Sequence, residues 1–203
     1  MFANKLDNKP TILGFSLLWM LGTLIGLMVG LAFMFAGVGA AINNASPAVF
    51  GGIFGSVLGF ACGFAQWLIL RKRLENIVVW IVATFLGWGI FWSLNMAGLF
   101  GEGNGVAGKV LEGLEHGALF GLLLGAFQWL IIRNKLRSAG WWVLVNVVGW
   151  SLGAAIGDGV KAALEINAPL EIILGLLVAT ILAAFSMAWL IRNDNQQLAA
   201  KRI

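Results

Sequence analysis

GFAQWLILRKR at residues 63–73 returns as GAFQWLIIRNK at residues 125–135, an offset of 62. Each copy carries a glycine, a glutamine beside a tryptophan, a short apolar run and then a cluster of positive charges, the pattern of an apolar helix ending at a basic turn. The match widens without a gap to residues 55–92 laid on 117–154, where Gly55, Gly59, Gly63, Gln66, Trp67, Arg71, Trp80, Gly87 and Trp88 all find identical partners. Backwards, Trp19, Thr23 and Gly26 precede Trp80, Thr84 and Gly87 by 61 residues, and these precede Trp142, Asn146 and Gly149 by 62. Forwards, AWLIRN at 188–193 echoes QWLIIRN with one residue fewer and Ala188 in the place of the glutamine. The spacing predicts three degenerate two-helix repeats, at about 11–73, 77–135 and 140–193.

The composition agrees with that pattern. Of 203 residues 60% are hydrophobic and 11% charged, where a soluble domain carries about 25% charged residues. Apolar runs of roughly 20 residues, enough to cross a ~30 Å hydrocarbon core, recur throughout and leave no room for a separate soluble domain. Breaks at 43–47, 71–76, 101–112, 133–139 and 165–169 divide one polytopic domain, residues 1–203, into predicted spans at 12–34, 48–70, 77–99, 113–132, 141–162 and 170–191. The apolar stretch from Ile12 is longer than a signal-peptide core and reads as the first span. Long, non-alternating runs exclude barrel strands, so the expected fold class is all-α, an integral membrane bundle of six transmembrane helices. The lone cysteine, Cys62, falls inside a span as a small packing residue.

Of the 13 Lys and Arg residues, only Lys109 and Lys161 fall on one side of this topology; Lys5, Lys9, Arg71, Lys72, Arg73, Arg133, Lys135, Arg137, Arg192, Lys201 and Arg202 fall on the other. The positive-inside rule then puts both termini in the cytoplasm. The basic residues sit in short groups against span ends, where anchoring and anionic lipid account for them and no nucleic-acid partner is called for. Trp67, Trp129, Trp189, Trp19, Trp80, Trp141 and Trp142 flank the basic turns and predict an aromatic belt on that side. Trp88, Trp92 and Trp150 lie deeper, positioned to pack between helices or against a flat ligand.

Glycine at every fourth residue, in Gly55, Gly59, Gly63 and again in Gly117, Gly121, Gly125, makes a groove down one helix face that lets two backbones approach. Gln66 lies three residues beyond Gly63 and shares that face, as Gln128 does beyond Gly125. Gln66 and Thr84 are 18 residues apart, as are Gln128 and Asn146, and each pair can meet across its basic turn. They predict an interhelical polar clamp of two equivalent hydrogen bonds.

The opposite side is acidic, with Glu102, Glu112, Glu115, Asp158, Glu165 and Glu171. Glu112, Glu115 and His116 stand at i, i+3 and i+4 and could offer two carboxylates and an imidazole to a metal ion from one helix face. Asp158, about 25 Å along the fifth span, is a candidate ion or proton ligand if a cavity reaches it. Enzyme signatures are missing: there is no phosphate loop, no HExxH, one cysteine and one histidine. GEGNG at 101–105 has no preceding strand and reads as a turn. No catalytic residue and no cofactor are assigned.

QWLILRKRLENIVVW at 66–80 and, more closely, QWLIIRNKLRSAGWWVLVNVVGWSLG at 128–153 resemble a group of small multi-span bacterial membrane proteins, frequent in photosynthetic lineages and mostly uncharacterised. The resemblance covers the second and third repeats, and the first in outline. It implies a bacterial host, with the inner membrane or a thylakoid as location, and supplies neither substrate nor catalytic residue. The turn before Trp80 departs from the glycine-tryptophan-tryptophan form, having Ile77 to Trp80.

Tight-packing signals and few ionisable groups within spans favour a non-enzymatic scaffold or accessory protein that associates with other membrane proteins; glycine faces leave a homo-oligomer open. A small-solute or ion transporter is the alternative, with Gln66, Gln128, Thr84, Asn146 and Asn95 as its midplane groups. A pigment-binding protein is the third, with His116, Gln66 or Gln128 as axial ligands.

Overall fold

The computed structural model describes residues 11–165 and 170–200, the backbone alone for 170–173, 175 and 195–200. The expectations placed on Lys5, Lys9, Lys201 and Arg202, and on the side chain of Glu171, lie outside the described residues.

Among the described residues there are six long helices: α1 Ile12–Phe33, α2 Pro47–Leu70, α3 Val79–Met96, α4 Gly105–Ile132, α5 Gly140–Leu164 and α6 Leu170–Ala200. Six segments are long and apolar enough to cross a membrane, and the chain is an integral membrane bundle. In lipid a helix satisfies every backbone group internally, which is why these apolar runs adopt it despite their many glycines. Side chains and backbone geometry set the ends. Thr11 caps α1, its Oγ1 accepting from the Gly14 N–H at 3.2 Å. Pro47, with its missing N–H, opens α2. Glu165 stops α5 in the left-handed conformation. The far end of α1 passes into a π-helical turn, Met34–Val38, and a last short turn, Gly39–Ala41, with Gly37 at φ 143°, open only to glycine.

Three predicted ends move, the sixth helix running to Ala200 where 191 was expected. The break expected at 101–112 is half helix, because α4 begins at Gly105, where Lys109 and Glu112 pair at i, i+3 and bring two polar turns into the helix. The third span is shorter than expected, ending at Met96.

Helices consecutive in the chain pack together, and α1 also meets α6, so the six form a closed ring. The core within it has two layers. Near the basic turns Phe15, Trp19, Leu70, Ile77, Trp80, Ile132, Trp142 and Met187 gather; further along lie Leu58, Cys62, Trp88, Phe91, Phe120 and Leu124. Large apolar side chains such as Phe35, Met28 and Leu111 are exposed on the outside, as expected of a surface facing hydrocarbon rather than water.

The glycines let the ring close. A Cβ on Gly59 would stand 2.6 Å from the Thr84 carbonyl oxygen of α3, and one on Gly63 2.9 Å from the Thr84 Cβ; one on Gly55 would strike the Trp88 carbonyl. The second set behaves alike toward α5, with Gly117 against Trp150, Gly121 against Asn146 and Gly125 3.0 Å from the Val143 Cα. Gly26 of α1 meets the Ala61 carbonyl of α2 at 2.8 Å. These faces are therefore spent within one chain. Gly149 of α5 stands less close to its neighbour, a Cβ there finding the Ala179 Cα of α6 at an ordinary 3.5 Å.

Candidate functional site

Five of the buried polar side chains, Thr23, Gln66, Thr84, Gln128 and Asn146, lie along one connected set of hydrogen bonds rather than in two separate pairs. Gln66 of α2 donates from Nε2 to Thr23 Oγ1 of α1 at 3.1 Å, and its Oε1 accepts from Trp80 Nε1 of α3 at 2.9 Å. Thr84, one turn along α3, donates its hydroxyl to the Trp80 carbonyl at 2.9 Å and accepts from Gln128 Nε2 of α4 at 3.0 Å. Gln128 Oε1 accepts from Trp142 Nε1 of α5 at 2.9 Å, and Asn146 Nδ2 donates to the Trp142 carbonyl at 2.8 Å. A hydrogen-bonded relay thus runs from α1 through α2, α3 and α4 to α5. Thr23, Gln66, Thr84, Gln128 and Asn146 are all buried.

The expected pairing is corrected here. Gln66 and Thr84 do share depth, but Thr84 takes its bond from Gln128, and Gln66 bonds to Thr23 and Trp80. Asn146 serves the Trp142 backbone, and Gln128 looks to Thr84 and Trp142 instead. Three of the four expected clamp residues, Gln66, Thr84 and Gln128, bond between helices, while Asn146 bonds within α5; the partners include two indoles and Thr23, which the pairing did not include. A signal for these partners was present, because Trp19, Thr23 and Gly26 stand at i, i+4 and i+7, one helix face, and the same set recurs at Trp80 and Trp142.

Trp19, Trp80 and Trp142 do not belong to the aromatic belt. They are 0–1% exposed and meet one another inside the ring, with ring centroids 6.0, 6.1 and 5.8 Å apart. Trp141 and Trp189 do face outward, while Trp67 and Trp129 lie under Arg71 and Arg133, each guanidinium over its indole at 4.8 and 5.4 Å. The deeper Trp88 and Trp150 are held edge-on with Phe120 at 5.0 and 4.4 Å, and Trp92 stands edge-on to Phe54 at 5.1 Å. Each of the three thus packs against a ring of a neighbouring helix. Where the sequence echo puts Ala188 on α6, a buried methyl stands in place of the glutamine, so the relay has no sixth member. Ser16 Oγ, on the α1 face that carries Trp19, is buried with no hydrogen-bond partner.

The acidic side does not build the expected metal centre. Glu112 Oε2 accepts from Lys109 Nζ and from the Gly103 N–H, both at 2.8 Å, which ties the 101–105 turn to α4. Glu115 is exposed, and His116 stands edge-on to Phe100 at 4.3 Å with its Nε2 buried and unpartnered. No group of three His, Cys, Asp or Glu that could hold a metal occurs among the described residues. Helical spacing put these side chains on neighbouring positions, but a salt bridge and a ring contact turned them to different neighbours. Asp158 is half-buried on α5, within electrostatic reach of Lys109.

No protein-family model, curated protein or solved structure matches this chain. The relay and the core around it are therefore the ground for a functional reading.

Proposed function

We propose that this protein is a non-enzymatic scaffold or accessory subunit of a bacterial inner or thylakoid membrane, built from three two-helix repeats, with both termini cytoplasmic. One observation carries the reading: among the described residues, the polar side chains buried between the helices are spent on hydrogen bonds within the protein. Of the five polar groups that a transporter would offer at midplane, Gln66, Gln128, Thr84 and Asn146 are bonded to one another and to tryptophans, and Asn95 lies half-buried at the far end of α3. The axis beside them is filled by three indoles. A relay of this kind holds helices at fixed azimuths, which suits a rigid platform whose outer apolar faces meet other membrane proteins or a second copy. The recurrence of a Gln–Trp bond at both the α2–α3 and α4–α5 junctions supports the repeat reading.

Affinity purification from native membranes tests the function. A stoichiometric co-purifying membrane protein is the expected result; its absence together with solute flux through proteoliposomes would reverse the assignment in favour of transport. For the orientation, a cysteine introduced at Asn134 in a Cys62→Ala background should resist an impermeant thiol reagent in intact cells and react in inverted vesicles.

A further inference from the structure

On the outside of the ring, between α1 and α2, runs a groove of about 580 Å³ that exposes no polar atom. Ile25, Val29 and Phe33 form one wall and Phe60, Phe64 and Leu68 the other. From Val57 to Leu68 it is about 16 Å long at 1.5 Å per residue, close to half of a ~30 Å hydrocarbon core. Val38, the last residue of the π turn, also lies in the lining. The near end leads to positive charge. Phe60 stacks on Phe64 with centroids 6.3 Å apart, Phe64 meets Trp67 at 5.5 Å, and the Arg71 guanidinium lies over Trp67 at 4.8 Å. This ladder continues the groove wall up to an exposed Arg71 and its exposed neighbour Lys72.

We propose that this groove is a specific site for one anionic phospholipid, an acyl chain lying along Phe60 and Phe64 and the headgroup phosphate at Arg71 and Lys72. The length fits a single leaflet, the lining suits hydrocarbon, and the charge at the mouth selects a negative headgroup over a zwitterionic one. The fold supplies its own control. In the second copy Arg133 sits over Trp129 in the same way, but the positions matching Phe60 and Phe64 are Leu122 and Ala126, so the phenylalanine pair that lines the groove has no counterpart there.

The experiment uses the full chain reconstituted in vesicles of equal phosphatidylglycerol and phosphatidylcholine, extracted in mild detergent, washed and examined by native mass spectrometry. Wild type should keep about one phosphatidylglycerol per chain, as a single leaflet-length groove allows. Val29→Trp, which fills the groove from a position 44% exposed, should keep none. Arg71→Gln should lower the preference for phosphatidylglycerol about fivefold, the effect of one basic residue at an anionic surface, while Arg133→Gln should leave it unchanged. The proposal is overturned if wild type keeps no lipid, if it keeps phosphatidylcholine equally well, or if Arg133→Gln is as damaging as Arg71→Gln. Undiminished lipid on a folded Val29→Trp protein also overturns it. Should that variant not fold, the Arg71 and Arg133 pair decides alone, since both changes lie on exposed turns.

Discussion

Replacing Gln128 by leucine removes the junction at which α3, α4 and α5 are joined. The side chain is 1% exposed, accepts from Trp142 Nε1 at 2.9 Å and donates to Thr84 Oγ1 at 3.0 Å. Leucine keeps most of the volume, so the loss is dominated by the two bonds rather than by a cavity. Hydrogen bonds between transmembrane helices average about 0.6 kcal/mol with a maximum near 1.7, because the unfolded chain in lipid also finds partners. Two of them set the expected destabilisation at about 1–3 kcal/mol, or roughly a 5- to 150-fold change in the folding equilibrium. The assay is reversible unfolding in mixed micelles followed by tryptophan fluorescence, on Gln128→Leu, Trp142→Phe and the double variant. Phenylalanine keeps a ring against Trp19 and Trp80 while deleting the indole N–H, so the cycle isolates the bond. The reasoning is refuted if Gln128→Leu is as stable as wild type, or if the coupling stays within the ~0.3–0.5 kcal/mol scatter seen for independent sites.

Other outcomes follow from the same geometry. Because Thr84 both accepts from Gln128 and donates to the Trp80 carbonyl, Gln66→Leu and Gln128→Leu should be non-additive, and Thr84→Val should reduce the coupling between them in the same unfolding assay. Gly121→Ala places a methyl against the Asn146 backbone and should cost about 1–3 kcal/mol, whereas Gly149→Ala, with Ala179 at 3.5 Å, should be near neutral in a thermal unfolding comparison. Cys62, 1% exposed between α1 and the core, should react with a maleimide only after denaturation, as read by mass spectrometry. Glu112→Gln, at a half-exposed pair, should change stability by less than about 1 kcal/mol and act locally, raising amide exchange in the 101–105 turn that the carboxylate holds.

Architecture was the legible part. Hydrophobic run length alone sets six crossings, since a backbone in hydrocarbon has no partner but itself, and the helices begin and end within a few residues of the expected places except where Lys109 and Glu112 extend α4 and where α6 runs on to Ala200. That Gln66 and Gln128 are buried followed from their position on a glycine face, because periodicity along one helix is a property of that helix. Whom they bond was decided by the tertiary structure. Thr84 and Trp80 lie on the same α3 face, one turn apart, and only the azimuth of α3 between α2 and α4 assigns the indole to Gln66 and the hydroxyl to Gln128. The same limit turned three tryptophans from an expected interfacial belt into a central cluster, and gave Glu112 and His116 different partners, Lys109 and Phe100. Sequence spacing states which residues share a face; ring closure, through contacts distant in the chain, states what that face meets.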